Sequence, residues 1–376
     1  MTLAKISASD LGERLKTARS NASLTQEAAA IGVGLSRTTL VAIERGQRAL
    51  RSEELIDLAE LYDVSVSKLL GRDSVHVDLS VKFRRIDENV ESPATVDAIK
   101  LLNRLASGAV ELERAMGVTL RMDYPPPMRI AQSGYLQQAE DAAAAFRQRL
   151  GMPTGKIGDL FTTLELDMGV RIFARHLAGG ISGLYAFDPA IGACILINSS
   201  HPRRRRLQTL THECAHFVTD RAEADILESV PIGQTVEERF ARRFGYAFLM
   251  PSSTVRGRFD ALISETSNFD VRSLVLLAHQ FDVTTEAMCR RLEELDLLTS
   301  GTWATLKDGG YSNRLERDVL GDSEPPSTPP LVAPRLAYLA SRAIGEDVLS
   351  EGQVCDLLAI DRSQLNEVVG AFSGDA

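Results

Sequence analysis

The stretch Thr211-His212-Glu213-Cys214-Ala215-His216-Phe217 constrains this chain more than any other. It has the pattern H-E-x-x-H. On a helix, residues four apart lie one above the other on one face. His212 and His216 can therefore aim two imidazole nitrogens at one metal ion, and Glu213 can reach a water held there. Neutral imidazole suits Zn²⁺, and a catalytic zinc site keeps one position open for water. A carboxylate beside that water acts as general base. Three fixed letters in five also recur by chance as two surface histidines. Context favours a site: these are two of only six histidines, and the apolar run 193–198 reads as a buried strand just upstream.

A length of 376 residues suggests two or three domains. No run approaches the roughly 18 apolar residues of a membrane span, and residues 1–10 lack the apolar core of a signal peptide. Cys194, Cys214, Cys289 and Cys355 are widely spaced, with no C-x-x-C pair. A cytoplasmic protein with reduced thiols and no disulfide framework is expected. The net charge of -9 argues against a generally basic nucleic-acid coat but leaves room for a local basic face.

Residues 10–71 read as a compact helical domain. Leu11, Leu15 and Ala18 mark a first helix; Thr25 or Ser23 caps a second, which Gly32 and Gly34 break. Ser36 caps a third, from Arg37 to Glu44, stopped by Gly46. A fourth starts at Ser52 and a short fifth spans 64–70. Two short helices joined by a glycine-containing turn form a helix-turn-helix. The segments Thr25-Gln26-Glu27-Ala28-Ala29, Ser36-Arg37-Thr38-Thr39-Leu40 and Ile43-Glu44-Arg45-Gly46-Gln47-Arg48 resemble the Cro/repressor (XRE) type of DNA-binding domain. The resemblance implies that Gln26, Arg37, Thr38 and Thr39 face DNA, with Arg45, Gln47 and Arg48 approaching phosphates or base edges. Residues 10–72 carry nine basic and nine acidic side chains, yet between Arg37 and Arg51 four arginines meet only Glu44. A protein-interaction module of the same fold is the alternative. One such domain grips half a site, so a homodimer is expected.

Beyond residue 72, Ser92-Pro93 opens a helical pattern through Glu113, apolar enough at 102–109 to be buried, against a twin subunit if not within the chain. Pro125-Pro126-Pro127 reads as a stiff linker. Helices are predicted over 130–150 and 157–168, then strands near 169–173, 179–185 and 193–198, making a small sheet beside the metal helix. The last of these strands is a candidate edge for pairing with substrate backbone. Arg203-Arg204-Arg205-Arg206 reads as a solvated face or, more sharply, as a contact for an anion or acidic substrate.

No G-x-x-H follows His216, so the third ligand is not a downstream histidine. Glu223, Asp225, Glu228, Glu237 and Glu238 are candidates. Along the helix that Pro251 ends, Glu238 shares a face with Ala241 and Gly245, while Glu237 shares one with Phe240, Phe244 and Phe248. Spacing alone leaves both open. The run from Tyr185 through His212-Glu213-Cys214-Ala215-His216, with Glu238, Ala241, Phe244, Leu249, Met250 and Pro251 in register, resembles the ImmA/IrrE type of zinc metallopeptidase over roughly 135–300. That resemblance makes Glu238 the third ligand. Gly245 and Cys214 depart from the residues commoner in that family, and neither removes a ligand.

Helices are also predicted at 274–279 and 285–297, where a turn resembling a second helix-turn-helix-like unit is read as packing only, with His279 at the surface. A linker rich in Pro, Ser and acid follows at 321–330, then a small helical tail. The expected fold is α+β and mostly helical. It comprises a five-helix helix-turn-helix domain (8–72), a helical connector (73–128), a zincin-like peptidase domain with a small sheet (129–300), and a linker with a helical tail (301–376). The two resemblances together imply a DNA-binding regulatory zinc endopeptidase. His212, His216 and Glu238 hold Zn²⁺, Glu213 is the base, and Tyr185, His201 and Tyr246 are weak oxyanion candidates. The implied partners are operator DNA and a repressor or related helix-turn-helix protein as substrate, with no membrane. The alternative is a transcriptional regulator whose peptidase-like domain is a non-catalytic sensor of a ligand or partner.

Overall fold

The computed structural model describes residues 7–22, 24–64, 66–70, 92–152, 155–178, 180–219, 221, 225–228, 235–266, 268–321, 328–370 and 372. Its contacts divide the chain into two compact units, 1–76 and 77–376.

Among the described residues the first unit holds five helices: α1 (Ala8–Asn21), α2 (Gln26–Gly32), α3 (Arg37–Glu44), α4 (Ser52–Leu61) and α5 (Val66–Leu70). Side-chain caps set the starts of the second and third. Thr25 accepts from the Ala28 amide and Ser36 from the Thr39 amide, each filling a donor that the helix itself leaves open; Ser23 lies outside the described residues. Gly46, at φ 67°, ends the third helix in a conformation that other residues rarely adopt. Leu15, Leu40, Ile43 and Leu58 form the core. Gly12 lets α1 cross α3 closely, since a Cβ there would lie 2.5 Å from the Ile43 carbonyl oxygen.

The second unit is built on one sheet with strand order β1 (Arg171–Arg175), β3 (Gly192–Asn198), β2 (Ile181–Asp188), β4 (Asp225–Glu228). The first pair is parallel and the other two antiparallel, with Leu184 opposite Leu196. Three strands were expected, and four are present among the described residues. The fourth is short, and its Asp-Ile-Leu-Glu run carries no alternation to mark it. The expected edge role of 193–198 is overturned, because β3 lies between β1 and β2. Its seven residues are all buried, the pattern of a strand covered on both faces.

Helix α6 (Pro93–Ala115) starts at the Ser92 cap and buries Leu102, Leu105, Ala106 and Ala109. Its apolar stripe packs on the sheet and on two helices of the tail, α16 (Pro334–Gly345) and α17 (Glu351–Leu358). The stripe read above as a surface for a twin is thus covered within the chain. At Gly108 the backbone rests directly on the Leu357 carbonyl, leaving no room for a side chain. Glu113 on this helix is buried between Arg171 at 2.6 Å and Arg335 at 2.7 Å, joining helix, sheet and tail in one ion triad.

Helix α7 (Tyr135–Arg149) begins later than predicted, after Gly134 at φ 72°. The helix expected over 157–168 is a short turn, α8 (Leu160–Thr163), capped by Asp159 and followed by a π-helical turn over Leu164–Met168. Next come α9 (Arg203–Val218) and α10 (Val236–Leu249), with α7 packed against α10. Then follow α11 (Ser252–Thr266), α12 (Val271–Phe281), α13 (Thr285–Glu294), α14 (Thr302–Asp308), α15 (Asn313–Leu320), the two tail helices already named and α18 (Arg362–Gly370). Residues 322–327 of the expected linker lie outside the described residues. Among the described residues no helix is long and apolar enough to cross a membrane.

Candidate functional site

Helix α9 carries the H-E-x-x-H pattern, with Leu210, Cys214 and Phe217 turned into the core against the sheet. It opens with four arginines, a charge ill suited to the positive end of a helix. The solvated face expected for them is not what forms. Arg203 pairs with Asp282, Arg204 lies 3.5 Å from the same carboxylate and 3.0 Å from His279 Nδ1, and Arg206 is buried, donating to the His201 carbonyl at 2.6 Å. Asp282 sits in the turn between α12 and α13 at φ 57° and supplies the negative charge that the start of α9 lacks. His279 is at the surface, as expected.

The two imidazoles meet where the helical spacing puts them. His212 Nε2 and His216 Nε2 are 3.3 Å apart. Glu238 completes the group, with its oxygens 3.5 Å from His212 Nε2 and 3.6 Å from His216 Nε2. Thr235 caps the first turn of α10 and holds Glu238 at that end. Glu237, left open by spacing, is exposed. Gly245 lets the two helices approach, since a Cβ there would stand 3.2 Å from Thr211 Oγ1 and 3.5 Å from the His212 amide nitrogen. Of the other acidic candidates, Glu223 lies outside the described residues, and Asp225 and Glu228 belong to β4, paired with β2.

One nitrogen from each imidazole and one Glu238 oxygen lie within 4.8 Å of one another. Zinc bonds of about 2.0–2.1 Å at tetrahedral angles require donors about 3.4 Å apart. The 3.3 Å between the imidazole nitrogens and the 3.5 Å from His212 to Glu238 Oε2 are close to that requirement, His216 meets the carboxylate's other oxygen at 3.6 Å, and two nitrogens with one carboxylate oxygen are a donor set zinc accepts. Among the described residues this is the one group of three that could hold a metal ion. Burial alone would push the Glu238 carboxyl up, but the hydrogen bond from His212 and the facing imidazoles outweigh it and hold the group below its ordinary range. Glu238 remains about a third exposed, so the group opens to solvent on that side.

Glu213 is fully buried. Gly183 on β2 makes its space: a Cβ there would fall 3.0 Å from Glu213 Oε1 and 2.6 Å from Thr209 Cγ2. Sequence reasoning missed this glycine. Its signal was the Gly180–Gly183 stretch, which reads as a turn until its register against α9 is known. Of the oxyanion candidates, Tyr185 is fully buried in the core, with its hydroxyl pushed well above its usual range by desolvation. Tyr246 is buried, receives a hydrogen bond from Gln208 at 3.3 Å and is pushed up to about 12 by desolvation. Burial and the neighbouring Arg205 and Arg206 hold the His201 imidazole below its ordinary value.

In the first unit, Arg37, Thr38, Arg45 and Gln47 are exposed on and after α3. Thr39 is half-buried, its hydroxyl 2.8 Å from Ser36 Oγ. Gln26 gives its amide to Glu44 at 2.8 Å, and that buried carboxylate also takes Arg19 at 2.6 Å. The single acid of the basic stretch is thereby withdrawn from the surface. Arg48 is held by both oxygens of Glu54, at 3.0 and 2.8 Å, and so is less free for phosphate than its position suggests.

Comparison with known proteins agrees with both halves. The profile of a helix-turn-helix domain matches residues 10–69, and that of the IrrE N-terminal-like domain, a peptidase family, matches 166–293. The HTH-type transcriptional regulator ImmR of Bacillus subtilis (strain 168) is 33% identical over 95 residues, covering 25% of this chain and 75% of the relative. The cryptic phage CTXphi transcriptional repressor RstR of Vibrio cholerae is 26% identical over 93 residues, covering 24% of this chain and 84% of the relative. The apo form of ComR from S. thermophilus aligns over 83% of this chain and 95% of its own at 11% identity, with a TM-score of 0.17, a value that says nothing about shared fold. With an N-terminal helix-turn-helix that implies DNA binding, the chain belongs to the family of helix-turn-helix transcriptional regulators that includes ImmR, and its second unit adds an IrrE-like peptidase domain with a triad able to hold a metal.

Proposed function

We propose that this chain is a DNA-binding regulatory zinc endopeptidase that hydrolyses a peptide bond in a transcriptional repressor or a related helix-turn-helix protein. The observation that carries the reading is the convergence of His212, His216 and a Glu238 oxygen within 4.8 Å of one another, with the buried Glu213 on the helix that presents the two histidines. A pure sensor has no use for that fourth residue.

His212, His216 and Glu238 would hold the ion. When bound, zinc supplies Lewis acidity, polarising a carbonyl and acidifying water. Glu213 takes a proton at its carboxylate oxygen as water attacks the scissile carbon, and then returns it to the departing amine nitrogen. One C–O bond forms, one C–N bond breaks, and the carboxylate ends as it began. Gly183 keeps the carboxylate in place by leaving its space open. The substrate strand would pair with β4, which among the described residues is hydrogen-bonded to β2 alone. Exposed Arg37, Thr38, Arg45 and Gln47 contact DNA, and a homodimer would span two half-sites.

A second reading, a regulator whose peptidase-like domain only senses, draws on the printed descriptions of the relatives as transcriptional regulator and repressor. Incubating the zinc-loaded protein with the helix-turn-helix protein encoded beside its gene separates the two. Cleavage by the wild type and none by Glu213→Gln supports hydrolysis. Intact substrate with both proteins, at full zinc occupancy, supports sensing.

A further inference from the structure

Away from the metal group, the second unit has a partly open cavity of ≈ 280 Å³ between β1, the turn over 158–165, the start of α9 and the extended segment 328–334 that leads into α16. That is close to the lower end of small-molecule pockets, about 300 Å³. Its walls are mainly apolar, with Leu105, Leu160, Ile172, Leu207 and Leu358 among them. Three arginines border it, each with its terminal nitrogens engaged elsewhere, though the buried Arg175 Nε has no hydrogen-bond partner. Arg175 donates to the Leu331 and Leu358 carbonyls, Arg203 pairs with Asp282, and Arg206 donates to the His201 carbonyl.

Glu165 is the exception. It lines the same cavity, is only 4% exposed, and among the described residues receives no hydrogen bond and no ion pair within reach of its carboxylate. Arg335, Arg171 and Glu113 act on it through space only, and the two arginines are already bound to Glu113. A buried carboxylate without a donor is costly, so native structures supply one from protein, water or ligand.

We propose that this cavity binds a small apolar amine, its ammonium on Glu165 and its hydrocarbon body against the leucine and isoleucine walls. An anionic ligand would leave Glu165 unmatched and set a second negative charge beside it. A neutral apolar ligand would fill the space but leave the same carboxylate bare. The cavity shares no residue with the metal group, and the inference does not depend on hydrolysis. Because Arg203, Arg206 and Leu207 belong both to its wall and to the first turns of α9, an occupant touches the helix that presents His212.

The test is calorimetric titration of the full chain at pH 8 with n-hexylamine, n-hexanol and n-hexanoate. The proposal expects saturable binding of hexylamine, with the alcohol and the acid weaker by about tenfold or more. Glu165→Gln should lower the amine's affinity by about tenfold or more while leaving that of the alcohol unchanged. Ala174→Phe, which fills the cavity, should abolish binding of the amine even if the Gln variant does not fold. Equal or tighter binding of hexanoate or hexanol would overturn the proposal. So would amine affinity unchanged by either substitution, or no saturable amine binding at all.

Discussion

Glu165→Gln isolates the cost of one buried charge. Desolvation raises the Glu165 carboxyl from 4.5 to about 7, against the favourable fields of Arg335 and Arg171 and with the unfavourable field of Glu113. A folded-state value above the unfolded one means that the neutral form is preferred in the fold. The associated stability is fully present below about pH 4.5 and is lost as pH rises through about 7. The gap between 4.5 and about 7, at about 1.4 kcal/mol for each unit of pH, sets an upper value of about 3 kcal/mol. Gln keeps the shape and cannot ionise. The variant should therefore match the wild type at pH 4.5 and exceed it at pH 8 by about 1–3 kcal/mol. Urea unfolding of both proteins across pH 4.5–8.5, followed by circular dichroism, reads the difference directly. Arg175, lowered by burial only to about 10, stays charged throughout that range, and Asp159, an exposed cap, is common to both proteins. A stability difference independent of pH, or a Gln variant less stable at pH 8, would refute the reasoning.

Other substitutions test other parts of the account. Glu238→Ala should abolish stoichiometric zinc binding, measured by atomic emission after dialysis, whereas Glu213→Gln should keep the metal and lose any hydrolysis. Gly108→Ala drives a methyl group into the Leu357 carbonyl and should cost about 1–3 kcal/mol in chemical denaturation, loosening the tail from α6. Glu44→Ala strips Arg19 of its buried partner and should destabilise the N-terminal unit by about 3 kcal/mol, seen as an earlier thermal transition. Arg37→Ala and Arg45→Ala should weaken binding to a mixed-sequence DNA duplex in fluorescence anisotropy, each reducing the salt slope by about one. Arg48→Ala should add a loss of stability, because that side chain also holds Glu54.

Local signals were the legible ones. Thr25, Ser36 and Ser92 cap the helices they precede, and the i, i+4 spacing of His212 and His216 survives intact as a 3.3 Å approach. The choice between Glu237 and Glu238 was not local. Neighbouring positions on a helix differ by about 100°, and each shares a stripe that could face inward. The resemblance pointed to Glu238, and the packing of α10 on α9 through Gly245 is what carries it to the histidines. Nor could the arginine run announce Asp282, a partner far along the chain. The strand over 192–198 misled for a different reason. An unbroken apolar run marks a strand covered on both faces, and such a strand is interior, so it could not also be the edge. The cavity at Glu165 depends on 328–334 folding back over the sheet, and composition read its first residues, 328–330, only as linker.

Zinc-edge X-ray absorption of the metal-loaded protein reads the central claim in one spectrum. The account predicts a first shell of two imidazole nitrogens and oxygen at about 2.0–2.1 Å, with no sulfur. A sulfur scatterer at about 2.3 Å, pointing to Cys214, or a shell without imidazole, would contradict it.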